Sequence, residues 1–226
     1  MEERAKNIPA LQPGMTAGIL GLGVAGRATV RFLLDQGLQL KVSDLRSEQQ
    51  VEKEQPGFLV FLDEHGVASE FGRHSDTFLD GLDLLVPAPG VPLHSALIRE
   101  ACRRTIPLAG ELALAAGRFA APVIAITGSN GKTTVTGLIG HLLHAAGKKP
   151  FVGGNIGTPL LEYCLDPTVY DCVVLELSSF QLDLAGAFRP EVGVLLNITP
   201  DHLDRHGTLA AYADAKKRLF AGQHEA

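Results

Sequence analysis

One stretch of the sequence combines two glycines, a lysine and threonines in the order that phosphate-binding loops use: Thr127-Gly128-Ser129-Asn130-Gly131-Lys132-Thr133-Thr134. Backbone N–H groups at the glycines can face a phosphate, Lys132 can place its cation between the β- and γ-phosphates, and the Thr133 hydroxyl can ligate Mg²⁺. The stretch departs from the G-x-x-x-x-G-K-[ST] pattern, because Ile126 occupies the position of its first glycine. We predict that residues 128–134 bind ATP; an ordinary turn before a helix is the alternative.

A second glycine-rich turn, Gly21-Leu22-Gly23-Val24-Ala25-Gly26, lies between an apolar run and a helical stretch near the start of the chain. Glycines at such a turn let the chain reverse sharply and bring backbone N–H groups against a phosphate at the helix N-terminus. Asp44 ends the next apolar run, where an acidic residue would meet a ribose. The turn predicts nucleotide or dinucleotide binding, and a strand–helix corner without a ligand stays open as the alternative.

Polar side chains follow two later apolar runs. Glu176 follows residues 172–175, and His202 follows residues 192–196 within Asn197-Ile198-Thr199-Pro200-Asp201-His202-Leu203-Asp204. Carboxyl ends of parallel strands meet at one sheet edge, so we expect Glu176 beside the phosphate loop as a metal ligand. A solvated rim residue is the alternative for Glu176, and a structural or surface histidine is the alternative for His202. The loop Gly153-Gly154-Asn155-Ile156-Gly157 is by itself only a turn, although Asn155 offers a donor and an acceptor.

The elements that would position these residues alternate between strand and helix, which predicts an α/β fold. We expect a Rossmann-like domain over residues 1–109, with a helix at 27–36 and strands at 17–20, 38–43, 57–62 and 82–86. An incomplete P-loop ATPase-type domain with a mostly parallel sheet is expected over residues 110–226. Its predicted helices cover 135–146 and 209–221, and its predicted strands cover 122–126, 172–175 and 192–196.

Composition narrows the function classes. The content of 46% hydrophobic and 20% charged residues is that of an ordinary globular protein. A net charge of -5 without a dense Lys/Arg run argues against a nucleic-acid partner. Cys102, Cys164 and Cys172 contain no C-x-x-C pair, which predicts buried free thiols rather than disulfides or a zinc knuckle. The N-terminus is charged and no apolar run reaches about 18 residues, so we expect a cytoplasmic protein without membrane contact.

The motifs together resemble those of the Mur ligases, ATP-dependent amide-forming enzymes of peptidoglycan precursor synthesis. The resemblance rests on the first glycine turn, on residues 126–134, on the loop at 153–157 and on the segment at 197–205. It also includes Leu175-Glu176-Leu177-Ser178-Ser179-Phe180-Gln181. Order and spacing agree along nearly the whole chain, which isolated motifs would not achieve by chance.

The resemblance implies a role for individual residues. The first glycine loop would bind the UDP part of a substrate rather than a nicotinamide cofactor. The implied catalytic residues are Lys132, Glu176, His202 and Lys216, with Thr133 and Glu176 as Mg²⁺ ligands and His202 at a second Mg²⁺. Lys216 matches the family's carbamylated lysine, whose anion would support that second metal, and the neighbouring Lys217 leaves the register open. The implied contacts of the UDP-linked substrate are Gly23, Val24, Ala25, Asp44, Arg46, Gly90, Asn155, Ser178 and Gln181.

The resemblance also implies a reaction: ATP-dependent addition of D-glutamate to UDP-N-acetylmuramoyl-L-alanine through an acyl phosphate, by a monomer. The family's C-terminal domain has no counterpart in the sequence, so we expect a fragment that is inactive alone. One alternative is a sibling ligase that adds another amino acid or acts on folate. An NAD-dependent dehydrogenase, suggested by the first glycine loop with Asp44, and a non-catalytic nucleotide-binding module are the others.

Overall fold

The computed structural model describes residues 8–221. The chain divides into two compact units, the first ending at Glu111 and the second beginning at Leu112. Each unit contains a four-stranded parallel sheet with helices, which confirms the predicted α/β fold. Among residues 8–221, no helix is both long enough and apolar enough to cross a membrane.

In the first unit, strands β1 (Thr16–Leu20), β2 (Gln39–Asp44), β3 (Ala68–Phe71) and β4 (Leu84–Pro87) form a sheet of order β3-β2-β1-β4. Helix α1 (Val24–Asp35) follows β1 across the glycine turn. In the described part of this unit there are three further α-helices, α2 (Glu48–Glu54), α3 (Phe58–Glu64) and α4 (Ala96–Arg103), and a 3-10 helix at Asp76–Leu79. Apolar side chains of β1 and β4, such as Ile19 and Leu85, are fully buried and form the centre of the core.

The predicted strand at residues 57–62 is wrong, because this segment forms helix α3. Phe58 and Leu62 are buried and lie four positions apart, so they face one side of a helix, whereas Val60 between them is exposed. The sheet takes its third strand from β3, which carries exposed residues at its first two positions. A short, half-exposed edge strand has too little apolar character to be recognised from sequence.

Helix α5 (Glu111–Ala115) lies at the division between the two units. In the second unit, strands β5 (Val123–Thr127), β6 (Pro150–Gly154), β7 (Cys172–Glu176) and β8 (Val192–Leu195) form a sheet of order β6-β7-β5-β8. Helix α6 (Lys132–Ala145) follows β5 directly after the phosphate loop. Up to residue 221, the remaining α-helices are α7 (Leu160–Leu165), α8 (Ser179–Leu182), α9 (Leu203–His206) and α10 (Leu209–Lys217), and a 3-10 helix follows at Arg218–Phe220.

The parallel pairing brings the carboxyl ends of three strands of the second unit together. Ile126 of β5 pairs with Glu176 of β7, and Glu176 pairs in turn with Gly154 of β6. Residues that follow these strands are therefore neighbours in space despite their distance along the chain. The three cysteines are free thiols, but only Cys172 is buried, so the prediction of buried thiols was wrong for the half-buried Cys102 and Cys164.

Candidate functional site

The phosphate loop runs from the end of β5 to the start of α6. Gly131 adopts the left-handed conformation, with φ of 83°, and precedes the helix as its N-cap. Gly128 has a φ of 154°, and a side chain there would place its Cβ 3.1 Å from the Cβ of Leu196. The first turn of a helix leaves its amide N–H groups without partners inside the helix, so α6 presents donors at this point.

Lys132 lies folded over the loop. Its Nζ donates hydrogen bonds to Gly128 O at 2.9 Å and to Ser129 O at 2.8 Å. The ammonium group is therefore held at the loop by two carbonyl oxygens, and it can donate to a phosphate from the same place. Lys132 is the cation that the sequence pattern predicts beside the ATP phosphates, and this role remains a prediction.

Glu176 is buried at the end of β7 and joins two of the predicted site residues. Its Oε2 accepts a hydrogen bond from Thr133 Oγ1 at 2.8 Å, and its Oε1 accepts one from Asn155 Nδ2 at 3.0 Å. Both of these donors are neutral groups, so the hydrogen bonds leave the carboxylate charge without compensation by a cation. The structure thus brings Thr133, Glu176 and Asn155 together at the carboxyl edge of the sheet.

The loop after β6 owes its position to close backbone contacts. A Cβ on Gly154 would lie 2.4 Å from Glu176 O, and one on Gly153 would lie 2.3 Å from Thr158 O. The Asn155 N–H donates to Glu176 O at 2.8 Å. Gly154 lets the chain approach β7 closely enough for the Asn155 side chain to reach Glu176, and Gly153 lets the loop fold back onto Thr158.

Lys216 is a buried lysine that reaches the phosphate loop from α10. Its side chain is 1% exposed, and its Nζ donates to Gly128 O at 2.9 Å and to Thr127 Oγ1 at 3.2 Å. Burial, together with the positive charge of Lys132, lowers the pKa of Lys216 to about 8. Lys217 is exposed. Of the two lysines, Lys216 is therefore the one at the site.

His202 lies among aromatic side chains. Its side chain is 49% exposed, its backbone is left-handed with φ of 50°, and its ring packs 4.8 Å from the ring of Phe180. The Tyr212 ring lies 6.3 Å from the His202 ring and has the Lys216 Nζ 4.6 Å from its centre. Within residues 8–221, no three His, Cys, Asp or Glu side chains form a group that could hold a metal ion.

Ser178 and Gln181 form a capping box at the start of α8. Ser178 Oγ accepts from Gln181 N at 3.2 Å, and Gln181 Oε1 accepts from Ser178 N at 2.8 Å. Both side chains thus stabilise this four-residue helix directly after β7. The structure assigns them this local role; a contact with the substrate remains a prediction.

Sequence reasoning assigned no role to Asn197 and Thr199, which contact the phosphate loop. Asn197 Oδ1 accepts from Asn130 N at 2.9 Å, and Thr199 N donates to Ser129 Oγ at 2.9 Å. Both residues follow β8, which pairs with β5. Their position directly after a predicted strand indicated that they lie at the carboxyl edge of the sheet. The sequence could not show that this strand lies next to β5, and so it could not predict their contact with the phosphate loop.

The three glycines of the first glycine loop differ in their surroundings. Gly21 is left-handed with φ of 84°, and a Cβ on Gly26 would lie 1.9 Å from Gly21 O, so α1 can only pack this closely without a side chain there. A Cβ on Gly23 would meet no heavy atom of the described chain within 4 Å. The loop is open at Gly23, beside the N-terminus of α1 and the predicted contacts Val24 and Ala25.

Asp44 and Arg46 form a pair next to this loop. Asp44 Oδ2 accepts from Leu22 N at 2.6 Å and from Arg46 Nη2 at 2.6 Å, and its Oδ1 accepts from Arg46 Nε at 2.9 Å. Burial would raise the pKa of Asp44, but the bonds from Arg46 and Leu22 outweigh it and lower that pKa. Both carboxylate oxygens are thus engaged within the chain, and Asp44 holds the glycine loop itself. Gly90, the remaining predicted contact, is exposed after β4.

Two family models match the chain. The model of the Mur ligase MurD-like N-terminal domain matches residues 15–110, and the model of the Mur ligase middle domain matches residues 126–226. A UDP-N-acetylmuramoylalanine–D-glutamate ligase from Koribacter versatilis is 47% identical over 207 residues, which are 92% of this chain and 45% of that protein. The ligase of the same name from Desulfotalea psychrophila is 46% identical over 218 residues, or 96% of this chain and 47% of that protein. The chain thus spans about half the length of these relatives.

Solved structures show the same fold. UDP-N-acetylmuramate-alanine ligase from Thermotoga maritima matches with a TM-score of 0.51 at 23% identity, over 92% of this chain and 47% of that one. A UDP-N-acetylmuramate:L-alanyl-gamma-D-glutamyl-meso-diaminopimelate ligase from Neisseria meningitides matches with a TM-score of 0.56 at 17% identity, over 92% of this chain and 68% of that one. With two family models covering both units and relatives at 46–47% identity, the chain belongs to the Mur ligase family.

Proposed function

We propose that this chain carries the substrate-binding and ATP-binding units of a ligase of peptidoglycan precursor synthesis. The reaction is the ATP-dependent addition of D-glutamate to UDP-N-acetylmuramoyl-L-alanine. The names of the relatives support this pair of substrates. We propose that catalysis requires a protein of the relatives' full length. The chain of 226 residues, taken alone, is proposed to bind the UDP-linked substrate without turning it over.

One observation carries the proposal: Thr133, Glu176 and Asn155 meet beside the loop that holds Lys132. A buried carboxylate with neutral partners, next to a threonine hydroxyl, is an oxygen donor set of the kind Mg²⁺ prefers. Thr133 and Glu176 would hold this ion, and the first turn of α6 would receive the phosphates of ATP. When bound, Mg²⁺ supplies positive charge that offsets the negative charge of the phosphates.

The proposed chemistry starts from a substrate carboxylate, which is a poor acylating agent. Its oxygen attacks the γ-phosphorus of ATP, the bond to the β,γ-bridging oxygen breaks, and ADP leaves. The D-glutamate amine then attacks the acyl carbon of the acyl phosphate, phosphate departs with its bonding electrons, and the amine loses a proton to give an amide. Lys132 stabilises the charge of two anions brought together in the first step, and no protein nucleophile is needed.

Lys216 is proposed to be carbamylated. Its neutral amine attacks CO₂, the new N–C bond forms and a proton leaves the nitrogen, so a buried cation becomes an anion. The lowered pKa of about 8 favours this reaction, since the attacking form is the unprotonated amine. Together with His202, the carbamate is proposed to support a second Mg²⁺. We also propose that the full-length enzyme is a monomer and is cytoplasmic.

The UDP end of the substrate is proposed to bind at the first glycine loop. The open position at Gly23 and the helix N-terminus favour a diphosphate, and the guanidinium of Arg46 adds positive charge nearby. Because Asp44 is already engaged by Leu22 and Arg46, it is poorly placed to bind an adenosine ribose as in NAD-dependent dehydrogenases. The other proposed substrate contacts are Val24, Ala25 and Gly90 here, and Asn155, Ser178 and Gln181 in the second unit.

Thermal-shift measurements on the chain itself separate the ligase from the dehydrogenase alternative. UDP-N-acetylmuramoyl-L-alanine is expected to raise the melting temperature, whereas NADH at equal concentration is expected to leave it unchanged. Stabilisation by NADH alone would overturn the proposal in favour of a dehydrogenase. Stabilisation by ATP with Mg²⁺, but by neither UDP-linked substrate nor NADH, would reduce it to a nucleotide-binding module.

A further inference from the structure

The phosphate loop of the second unit is in contact with strand β8 and with the segment that follows it. Ile126, at the position of the missing first glycine, is a fully buried strand residue that pairs with Val194 of β8. Thr127 continues this pairing, because its carbonyl accepts a hydrogen bond from Leu196 N at 3.0 Å. The segment that follows β8 therefore runs directly beside the loop.

Asn197 pairs with the backbone at the tip of the loop. Its Oδ1 accepts from Asn130 N at 2.9 Å, and its Nδ2 donates to Asn130 O at 3.1 Å. Its own carbonyl accepts from Ser129 N at 3.1 Å. A carboxamide offers an acceptor and a donor side by side, so Asn197 binds Asn130 as a neighbouring strand would.

Thr199 adds contacts to the same two loop residues. Ser129 Oγ donates to Thr199 O at 3.0 Å and lies 2.9 Å from Thr199 N, and Asn130 Nδ2 donates to Thr199 Oγ1 at 3.3 Å. The backbone amides of Ser129 and Asn130 thus both donate to Asn197 in the segment after β8. The donors left for a phosphate are those at the start of α6, beside Lys132.

We propose that Asn197 is a positioning residue for ATP: it fixes residues 129–130 so that Lys132 and the first turn of α6 are held ready for the phosphates. The inference rests on the proposed function of this loop. Asn197 acts through the backbone of Asn130 and through the carbonyls that hold the Lys132 ammonium, one of which belongs to Ser129. The loop thus compensates for the absent first glycine with a partner 67 residues away along the chain.

The test compares three variants in the ligase of the relatives' full length. Asn197→Ala removes both side-chain bonds, and Asn197→Asp keeps the acceptor but removes the donor and adds a negative charge. Asp166→Ala is the control, because it also removes two side-chain hydrogen bonds of a loop, from Thr168 N at 2.9 Å and from Tyr170 Oη at 2.5 Å. Asp166 lies before β7, whereas Asn197 lies after β8. For each variant, KM for ATP, KM for the UDP-linked substrate, kcat and melting temperature are measured. Hydrogen exchange of the Asn130 amide is measured in the chain of 226 residues.

The expected result is a KM for ATP raised about tenfold or more by both Asn197 substitutions, as loss of a few hydrogen bonds would produce. KM for the UDP-linked substrate and the melting temperature stay close to those of the Asp166→Ala control, and the Asn130 amide exchanges faster. Unchanged KM for ATP, or a uniform loss that follows the melting temperature, overturns the inference. A wild-type ligase that releases no ADP overturns the proposed function instead. In that case an Asn130 amide that exchanges no faster in Asn197→Ala overturns the positioning role too.

Discussion

Two lysines donate to the same carbonyl oxygen at the phosphate loop. The Nζ atoms of Lys132 and Lys216 each lie 2.9 Å from Gly128 O, one at the surface of the loop and the other buried behind it. Two like charges so close disfavour each other, which contributes to the low pKa of Lys216 after the larger effect of burial. Carbamylation of Lys216 would turn this repulsion into an attraction, whereas Lys132 must stay cationic for its proposed role.

The residue-scale prediction is that Lys216, and not Lys217, takes up CO₂. In the presence of ¹³C-labelled bicarbonate near pH 8, carbon NMR is expected to show a carbamate signal from the wild-type chain. The signal disappears in Lys216→Met and persists in Lys217→Met, because the exposed Lys217 shares none of these contacts. A signal that survives Lys216→Met, or that is absent throughout, contradicts the prediction.

At the scale of elements, two glycines of the first glycine loop have different roles: Gly26 is needed for packing, and Gly23 is proposed to be needed for binding. Gly26→Ala would force a Cβ to within 1.9 Å of Gly21 O, so α1 must move away from β1. We expect a loss of about 3 kcal/mol or more in the free energy of unfolding, measured by urea denaturation. Gly23→Ala meets no heavy atom of the described chain within 4 Å and should change that free energy by less than about 0.5 kcal/mol.

Binding of the UDP-linked substrate, measured by calorimetry, completes this comparison. The methyl group of Gly23→Ala occupies the opening where a phosphate would approach, so weaker binding is expected from a chain that remains folded. A Gly26→Ala chain as stable as the wild type would contradict the packing argument. A Gly23→Ala chain that binds as tightly as the wild type would contradict the assignment of the loop.

The Glu70 carboxylate joins strands β2 and β3, and its hydrogen bonds predict that the fold is sensitive to acid. Glu70 Oε1 accepts from Ser43 Oγ at 2.6 Å and Glu70 Oε2 accepts from Ser75 Oγ at 2.6 Å, while His74 Nδ1 lies 2.6 Å from Ser43 Oγ. Burial would raise the pKa of Glu70, but these hydrogen bonds outweigh it and lower that pKa below its ordinary 4.5. Burial lowers the pKa of His74. The folded state therefore favours an ionised Glu70 and a neutral His74.

The stabilisation from Glu70 is present above pH 4.5 and is lost as the pH falls through the lowered pKa. The contribution of His74 has the same direction, because the unfolded chain takes up its proton at a higher pH than the folded one. Glu70→Gln is expected to reduce the free energy of unfolding by about 1–2 kcal/mol at neutral pH and to weaken its dependence on pH below 5. Urea denaturation from pH 3 to pH 7 measures both, with the exposed Glu64→Gln as the control. An unchanged pH dependence in Glu70→Gln would refute the argument.

The elements that could be predicted are those whose signal lies in a continuous stretch of the sequence. The strand–glycine–helix units at β1 and β5 were recognisable, because apolar runs, glycines and amphipathic helices are continuous in the sequence. The position of Glu176 followed from parallel pairing alone. Strand β6 and helix α3 were missed, since one is short and glycine-rich and the other reads as an apolar run. The burial of Lys216 had a signal in the spacing of Tyr212, Ala215, Lys216 and Leu219 on one helical face.

The contacts of Asn197 could not be predicted in the same way. They depend on β8 lying next to β5, which is a property of strand order rather than of any local pattern. The engagement of Asp44 by Arg46 was equally hidden, because the residue type at a strand end does not say whether its carboxylate faces a ligand or a neighbouring side chain. Both cases concern side-chain pairing that only the three-dimensional structure determines.

At the scale of the whole molecule, the two units follow the same principle with different strand orders. In each sheet the glycine loop follows the strand that has neighbours on both sides and lies next to the last strand of its unit, β1 beside β4 and β5 beside β8. The strands that come next in the chain, β2 and β3 or β6 and β7, lie on one side of β1 or β5, and the last strand lies on the other side. A change of side in the strand order of this kind is where an open α/β sheet forms a crevice at the carboxyl ends of its strands. Each unit of the chain therefore carries its own candidate nucleotide site, which is proposed to bind UDP in the first unit and ATP in the second.

The most direct test of this account is ADP release by the ligase of the relatives' full length. The enzyme is supplied with ATP, Mg²⁺, UDP-N-acetylmuramoyl-L-alanine and one amino acid at a time. Release is expected to require the UDP-linked substrate and to be at least about 100-fold faster with D-glutamate than with other amino acids. Lys132→Ala is expected to abolish it, while the same substitution leaves UDP-substrate binding by the chain intact. Faster release with another amino acid, or substantial acyl-phosphate formation by Lys132→Ala, would contradict the account.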